Sequence, residues 1–232
     1  MFFDPMYFVI VGPAIILSLW AQYKVKSSYK RFSQVASSSG LSGADVARRL
    51  LDRNNLSDIR VEPVEGELTD HYDPKARVIR LSQGIYNGRS LAALGIAAHE
   101  TGHAVQDKTG YAPMRIRAGL VPATSFGSRL APIIIMLGVF LMYSQIIFGN
   151  LLVGLGIVLF AAVVIFQLVT LPVEFNASSR ALKMLTGGGF ISDSEYPAAR
   201  SVLSAAALTY LAAALAAVTQ LIYFIMLSQR RR

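Results

Sequence analysis

The sequence predicts a mainly α-helical membrane protein in which four apolar helices accompany a small α+β domain. Hydrophobic residues make up 53% of the 232 residues, a higher share than soluble domains usually contain. They collect in four runs that are nearly free of charge, and each run approaches the ~20 residues that cross a bilayer as a helix. Four buried core helices of this length would be too many for a soluble domain of this size. The runs cover residues 5–21, 131–148, 151–171 and 205–227.

The first apolar run is expected to remain in the protein as a membrane anchor. Asp4 occupies the position where a cleaved signal peptide carries basic residues, and no small-residue pattern typical of a cleavage site follows the run. Trp20 and Tyr23 stand at its end, as is typical of a helix that ends at the membrane interface.

The composition also limits the kinds of site and partner. The chain contains no cysteine, which excludes disulfides and metal sites built on thiolates. Its net charge is +8, and the basic residues lie beside the apolar runs without the aromatic pattern of an RNA-binding motif. The expected partner of this charge is therefore the lipid bilayer, with anionic lipid, and no nucleic acid. The basic residues are Lys24, Lys26, Lys30 and Arg31 after the first run, and Arg115, Arg117 and Arg129 before the second.

The same basic residues predict how the chain is oriented. Lysine and arginine next to membrane helices mark the cytoplasmic side, so the polar stretch between the first two runs is expected in the cytoplasm. The predicted link between the second and third runs, at Gly149 and Asn150, carries no basic residue and is expected outside. Arg230, Arg231 and Arg232 conflict with this scheme. Either the rule is broken there, or the last helix does not cross the membrane fully.

Local signals in the polar stretch predict two helices and a strand. Ser42 is the expected N-cap of a helix over residues 44–51, and Ser90 that of a helix from residue 91 to about residue 107. Between them, Asp73-Pro74 predicts a turn, and residues 77–82 mix β-branched and polar side chains as strands do.

The second of these helices carries the pattern H-E-x-x-H. His99 and His103 lie four residues apart, so on a helix both imidazoles share one face and can bind one metal ion. Glu100 follows the first histidine and can reach a water at that metal, where it would act as a general base. The alternative is a helix that happens to carry two solvated histidines.

A catalytic zinc also needs a third protein ligand and a position left open for water. No histidine follows His103, and Asp107 lies roughly 12 Å beyond His99 along the helix, too far to share the metal. Glu174 is favoured because two membrane crossings return the chain to its starting side, and because Pro172 suits the first turn of a helix. The other candidates are Asp193, Glu195 and an acid upstream of the motif.

Together these motifs resemble the YugP-type neutral zinc metallopeptidases of bacterial membranes. They are more distantly similar to the HtpX group and the CAAX prenyl proteases, which are membrane gluzincins. The resemblance covers nearly the whole chain and rests on HETGH (99–103), PVEFNAS (172–178), DHYDP (70–74) and the apolar runs. It implies a zincin-like domain whose third metal ligand follows a transmembrane hairpin. It further implies Zn²⁺ as cofactor, His99, His103 and Glu174 as its ligands, and Glu100 as the base.

One departure from the distant relatives concerns the support of the ligand histidines. The glutamate helix of those relatives reads E-x-x-A-D, whereas Ala177 is followed here by Ser178. That aspartate would hold a ligand histidine in position by a hydrogen bond. Ser178 or Asn176 is expected to take over this task.

His71 and Tyr72 are candidates for a role in the transition state. Either side chain could stabilise the oxyanion of a tetrahedral intermediate. The alternative is a structural turn that Asp70 and Asp73 close.

The function expected from these residues is peptide-bond hydrolysis by a membrane-embedded, zinc-dependent endopeptidase of the HExxH gluzincin type. Zinc would polarise the scissile carbonyl and lower the pKa of its bound water to about 7, and Glu100 would take the proton. The expected substrates are peptides or membrane proteins at the cytoplasmic face of the cell membrane, and the strand at 77–82 could pair with an extended substrate.

Three rival classes are weaker. A non-catalytic membrane scaffold with structural zinc would need a fourth ligand rather than Glu100. A transporter would place charged residues inside its apolar runs, and these runs contain none. An intramembrane protease would bury H-E-x-x-H in a spanning helix, but only residues 91–98 are apolar before His99, too few to span.

We therefore expect five segments. These are an anchor (1–22), a cytoplasmic domain with the H-E-x-x-H helix (23–130), a transmembrane hairpin (131–171), a helix and loop with the third ligand (172–203), and a C-terminal apolar helix with a basic tail (204–232).

Overall fold

The computed structural model describes residues 4–229, so that Arg230, Arg231 and Arg232 lie outside the described residues. In chain order its elements are α1 (Pro5–Phe32), α2 (Gly43–Arg53), β1 (Arg60–Val64), β2 (His71–Asp73), β3 (Val78–Ser82), α3 (Gln83–Tyr86), α4 (Leu91–Lys108), α5 (Ala112–Tyr143), α6 (Phe148–Gly187) and α7 (Tyr196–Gln229). The described residues form two compact units. Within the described residues, the apolar unit takes residues 4–20, 115–171 and 210–229, and the polar unit takes Ala21–Met114 and Pro172–Thr209.

Four of the helices are long and apolar enough to cross a membrane, namely α1, α5, α6 and α7. Large apolar side chains lie exposed along them, as on lipid-facing surfaces; Met136 of α5 is 73% and Leu151 of α6 69% exposed. The prediction of a mainly helical chain with four apolar helices and a small sheet is confirmed at this level. The helices extend beyond the apolar runs, since α1 continues to Phe32 and α5 begins at Ala112.

The hairpin of α5 and α6 turns at a different place from the one predicted. The two helices are joined by residues 144–147, where Gln145 has a φ of 58°, and both Gly149 and Asn150 lie inside α6. Gly149 serves helix packing instead of the turn, because a Cβ there would lie 2.6 Å from the backbone nitrogen of Met142. Gly138 of α5 lies opposite, and a Cβ atom there would be 2.9 Å from the backbone oxygen of Gly149. Small residues allow such close helix contacts in membranes.

The segment around Glu174 is not a separate helix. Pro172 was expected to begin one, but α6 runs through it from Phe148 to Gly187. Proline removes one backbone donor from the helical ladder, and neighbouring groups compensate for that loss in many membrane helices. The glutamate is thus carried by the same helix as the third apolar run.

A three-stranded sheet lies in the polar unit, in the order β1-β3-β2. β1 is parallel to β3, and β2 is antiparallel to it. The central strand is therefore paired on both sides. β3 is the strand predicted at residues 77–82. The expectation that it could pair with an extended substrate at a sheet edge is wrong, because the two edge strands are β1 and β2.

The two predicted helix starts of the polar unit occur as expected. The Ser42 side chain accepts a hydrogen bond from the Asp45 backbone in a reciprocal capping box, and Ser90 accepts one from Ala93. α4 is buried along most of its length, including Leu94 and Ala98. One core cluster packs these two residues with Ala181 and Leu185 of α6. This packing holds the last turns of α6 against the helix that carries H-E-x-x-H.

Candidate metal centre

His99 and His103 lie side by side on one face of α4. Their ring centroids are 4.7 Å apart, and the ring planes cross at 85°. The two side chains are only 12% and 10% exposed. They are therefore not the solvated histidines of the alternative interpretation, and their burial favours a shared task.

Glu174 of α6 lies against both histidines. Its Oε2 is 3.2 Å from His99 Nε2 and 3.6 Å from His103 Nε2, and the carboxylate is 3% exposed. One potential ligand atom from each residue can be chosen so that all three lie within 4.8 Å of one another. The structure thus brings together the three residues that the sequence nominated as metal ligands.

The three donors fit a zinc ion. Two imidazole nitrogens and one carboxylate oxygen are ligands that zinc accepts in catalytic sites. Ligands at about 2.1 Å from a tetrahedral zinc lie roughly 3.4 Å from one another. The separations of Glu174 Oε2 from the two Nε2 atoms, 3.2 and 3.6 Å, lie on either side of that value. A buried carboxylate between two imidazoles is also an arrangement that a cation stabilises.

A glycine allows α6 to approach α4 this closely. A Cβ on Gly102 would lie 2.7 Å from the backbone oxygen of Ala177 and 3.2 Å from its Cα. Ala177 is itself fully buried, and it lies one helical turn beyond Glu174. The glycine within H-E-T-G-H therefore positions the third candidate ligand, although it contributes no donor atom.

Glu100 lies on the same helix with its side chain in a buried position, 7% exposed as a residue. Among residues 4–229, no hydrogen bond to its carboxylate is present. Its carboxylate acts electrostatically on His103 and on Asp70. A buried carboxylate without a protein donor can accept a hydrogen bond from a water or a substrate, as a general base must.

The Nδ1 atom of each imidazole also has a hydrogen-bonding partner. Ser178 Oγ lies 3.2 Å from His99 Nδ1, and Gln106 Oε1 lies 3.0 Å from His103 Nδ1. Asn176 reaches the second imidazole only indirectly, because its Oδ1 accepts a hydrogen bond from Gln106 Nε2 at 3.0 Å. Sequence reasoning named Ser178 and Asn176 but missed Gln106. The available signal was its position three residues after His103, on the same helix face.

His71 and Tyr72 have partners away from the three candidate ligands. His71 is exposed on β2, with Nδ1 2.8 Å from the Thr69 carbonyl oxygen. The Tyr72 hydroxyl donates to Asp107 Oδ2 at 2.8 Å. Burial, followed by this hydrogen bond, raises the pKa of Tyr72 above its usual value. A role of either side chain in stabilising an oxyanion stays a prediction.

The other acids considered as third ligand are engaged elsewhere. Asp107 accepts the hydrogen bond of Tyr72, and Asp70 accepts hydrogen bonds from the Ser82 backbone and hydroxyl. Glu195 accepts hydrogen bonds from Ser38 and Ser192. The remaining candidate, Asp193, is exposed.

Comparison with known proteins agrees with these motifs. The family model described as "Putative neutral zinc metallopeptidase" matches residues 7–229. The chain is 51% identical over 215 residues to "Putative membrane protease YugP" of Bacillus subtilis (strain 168), with 92% of each chain covered. No solved structure matches the chain. Since the family model spans nearly all the residues and the relative is similar over almost its full length, the chain belongs to this family of neutral zinc metallopeptidases.

Proposed function

We propose that this protein is a zinc-dependent endopeptidase of the membrane, with a site built on His99, His103, Glu174 and Glu100. The observation that carries the proposal is the convergence of three buried ligand atoms within 4.8 Å, with an additional carboxylate on the same helix. Three protein ligands and a nearby base are the composition of a catalytic zinc site, whereas a structural site is closed by a fourth protein ligand.

His99 Nε2, His103 Nε2 and a carboxylate oxygen of Glu174 would hold the metal. When bound, zinc supplies Lewis-acid chemistry, polarising the scissile carbonyl and making a water more acidic. Glu100 takes a proton from the attacking water on a carboxylate oxygen. It then delivers that proton to the nitrogen of the leaving amine, which completes the cleavage of the peptide bond.

The low exposure of these side chains also shapes the chemistry. In surroundings that contain little water, interactions between charged groups are stronger than in bulk solvent. Glu100 has no protein donor among the described residues, so its carboxylate oxygens are available to a water or a substrate. Ser178 and Gln106 restrict the orientations of the two imidazoles, which limits the reorganisation that metal binding requires.

The proposed place of action is the cytoplasmic surface of the cell membrane. α4, which carries the motif, is not one of the four helices able to span a membrane within residues 4–229. Basic residues after the first apolar run support a cytoplasmic polar unit. The substrates would be peptides or segments of membrane proteins that reach this surface. The alternative function is a non-catalytic scaffold that binds zinc.

The test uses the purified full-length chain in lipid nanodiscs with a library of unstructured peptides. Mass spectrometry of the products should show new amino and carboxyl termini. A chelator should stop their formation, and equimolar zinc should restore it. The Glu100→Gln variant under the same conditions is the matched control for a contaminating protease. Stoichiometric zinc binding without any cleavage, across peptide and membrane-protein substrates, would favour the scaffold.

A further inference from the structure

Gln106 is a fully buried amide that neither the metal ligands nor the base account for, with 0% of the residue exposed. Its Oε1 lies 3.0 Å from His103 Nδ1. Its Nε2 donates to the backbone oxygen of Val173 at 2.8 Å and to Asn176 Oδ1 at 3.0 Å. Burying an amide destabilises the fold unless both its oxygen and its NH₂ group form hydrogen bonds, and both ends of the Gln106 amide do so. This arrangement suggests that the amide has a specific role.

Two groups fix the direction of these hydrogen bonds. The carbonyl oxygen of Val173 can only accept. Arg180 can only donate, and its Nε lies 2.7 Å from Asn176 Oδ1. The Asn176 atom that faces Gln106 is therefore an oxygen, and it too requires a donor. Both neighbours demand the NH₂ end of the Gln106 amide, so the carbonyl end must face the histidine.

This direction determines which nitrogen of His103 carries the proton. Since Gln106 Oε1 is an acceptor, the facing Nδ1 must be the N–H of the ring. In the neutral imidazole, the lone pair then belongs to Nε2, the atom 3.6 Å from Glu174 Oε2. The hydroxyl of Ser178 beside His99 can either donate or accept. It therefore selects no tautomer, and the two ligand histidines differ in this respect.

We propose that Gln106 is a positioning residue that selects the metal-binding tautomer of His103, under the direction of Val173 and the Asn176–Arg180 pair. The same amide joins α4 to α6, which carry the histidines and Glu174 respectively. Its hydrogen bonds thus set both the tautomer of one ligand and the approach of another. The inference rests on the metal site of the proposed function, although not on turnover.

Zinc affinity of the purified full-length chain in detergent, measured by competition with a chromophoric chelator, tests the proposal. Gln106→Leu removes the acceptor, and we expect the affinity to fall by about 10–100-fold, as for other groups that hold a ligand histidine. Thr101→Val is the matched control. Thr101 is equally buried on α4, and its hydroxyl donates only to the Ala97 backbone, so the variant should keep the wild-type affinity.

A second pair of variants keeps the test valid if Gln106→Leu does not fold. Asn176 is half-buried, and Asn176→Asp preserves an acceptor for both Gln106 and Arg180, whereas Asn176→Leu does not. We expect wild-type or higher affinity from the first and weaker binding from the second. Nitrogen NMR of ¹⁵N-histidine in the zinc-loaded protein should show Nδ1–H with metal at Nε2 for His103. The Nδ1 proton should exchange faster with water in Asn176→Leu.

The possible outcomes separate this inference from the proposed function. A wild-type chain that binds no zinc would overturn the metal site itself. Wild-type zinc binding with unchanged affinity and proton exchange in both the Gln106→Leu and Asn176→Leu variants would contradict the positioning role alone. Binding of zinc through Nδ1 of His103 would contradict it as well, and so would an equal loss of affinity in Thr101→Val.

Discussion

A Cβ atom on Gly102 would lie only 2.7 Å from the backbone oxygen of Ala177. At that distance one of the two helices would have to move. The contact joins the middle of the H-E-x-x-H motif to α6 one turn beyond Glu174. Because α4 and α6 meet here backbone to backbone, the spacing of the two helices controls the distance from Glu174 to the histidines. The motif thus contributes packing as well as chemical groups.

Gly102→Ala should therefore weaken the metal site. The added methyl group must push α6 away, at a cost of about 1–3 kcal/mol in the free energy of unfolding, and zinc binding should weaken with it. Gly95→Ala on the same helix is the control, because its Cβ position has nothing within 4 Å. That change should leave zinc affinity unaltered and raise stability by up to about 1 kcal/mol. Chelator competition and thermal unfolding would measure both effects, and equal behaviour of the two variants would disprove the packing argument.

Glu100→Gln should separate metal binding from turnover. The substitution keeps the shape of the side chain and all three candidate ligands, but the amide cannot take a proton. We expect stoichiometric zinc, an unchanged fold by circular dichroism, and peptide cleavage lower by at least about 10²-fold. Turnover within tenfold of the wild type in the purified variant would show that Glu100 is not the base.

Sidedness can be tested directly because the chain has no cysteine of its own. The exposed turn residue Lys75 and the hairpin residue Ser144 are suitable positions for single cysteines. In intact cells, a membrane-impermeant maleimide should label Ser144→Cys and leave Lys75→Cys unlabelled until the cells are opened. Labelling of both residues from the same side would contradict the single crossing by α5 that is expected between them.

The features that the sequence predicted well are those encoded by neighbouring residues. Apolar runs predicted the four long helices, and the caps at Ser42 and Ser90 predicted where α2 and α4 begin. Counting ligands favoured Glu174, and the structure places it beside His99 and His103 although it lies far along the chain.

The features that were missed depend on contacts between distant residues. The position of Gln106 three residues after the H-E-x-x-H motif is a local signal, but the Val173 backbone oxygen that orients its amide lies on another helix and is shown by no local pattern. Gly149 looked like a turn residue, but its role depends on Met142 of the opposite helix. α6 likewise continues through Pro172, although the local sequence predicted that a helix begins there.

Glu195 should make the fold sensitive to acid. Partial burial raises its pKa, but the hydrogen bonds from Ser192 and Ser38 outweigh that effect and lower the pKa to about 2. A carboxyl whose pKa is depressed in the folded state stabilises the fold above its unfolded pKa, near 4.5, and loses that contribution as the pH falls towards 2. Glu195→Gln should cost about 1 kcal/mol at neutral pH, after allowance for solvent screening, and much less at pH 2. Denaturant unfolding at both pH values is the measurement, and an equal cost at both would contradict the linkage.

Glu174→Ala should reduce zinc occupancy sharply, because it removes one of the three atoms that can hold the metal. The variant leaves His99 and His103 in place, and two imidazoles alone bind zinc more weakly than a complete set of protein ligands. Asp193→Ala is the control, since Asp193 is an exposed acid that was an alternative ligand by sequence. Metal analysis after dialysis against a weak chelator should find near-stoichiometric zinc in the wild type and in Asp193→Ala, with little in Glu174→Ala. Full occupancy and activity of the Glu174→Ala protein would refute the ligand assignment, and Asp70 or Glu195 would then have to be tested in its place.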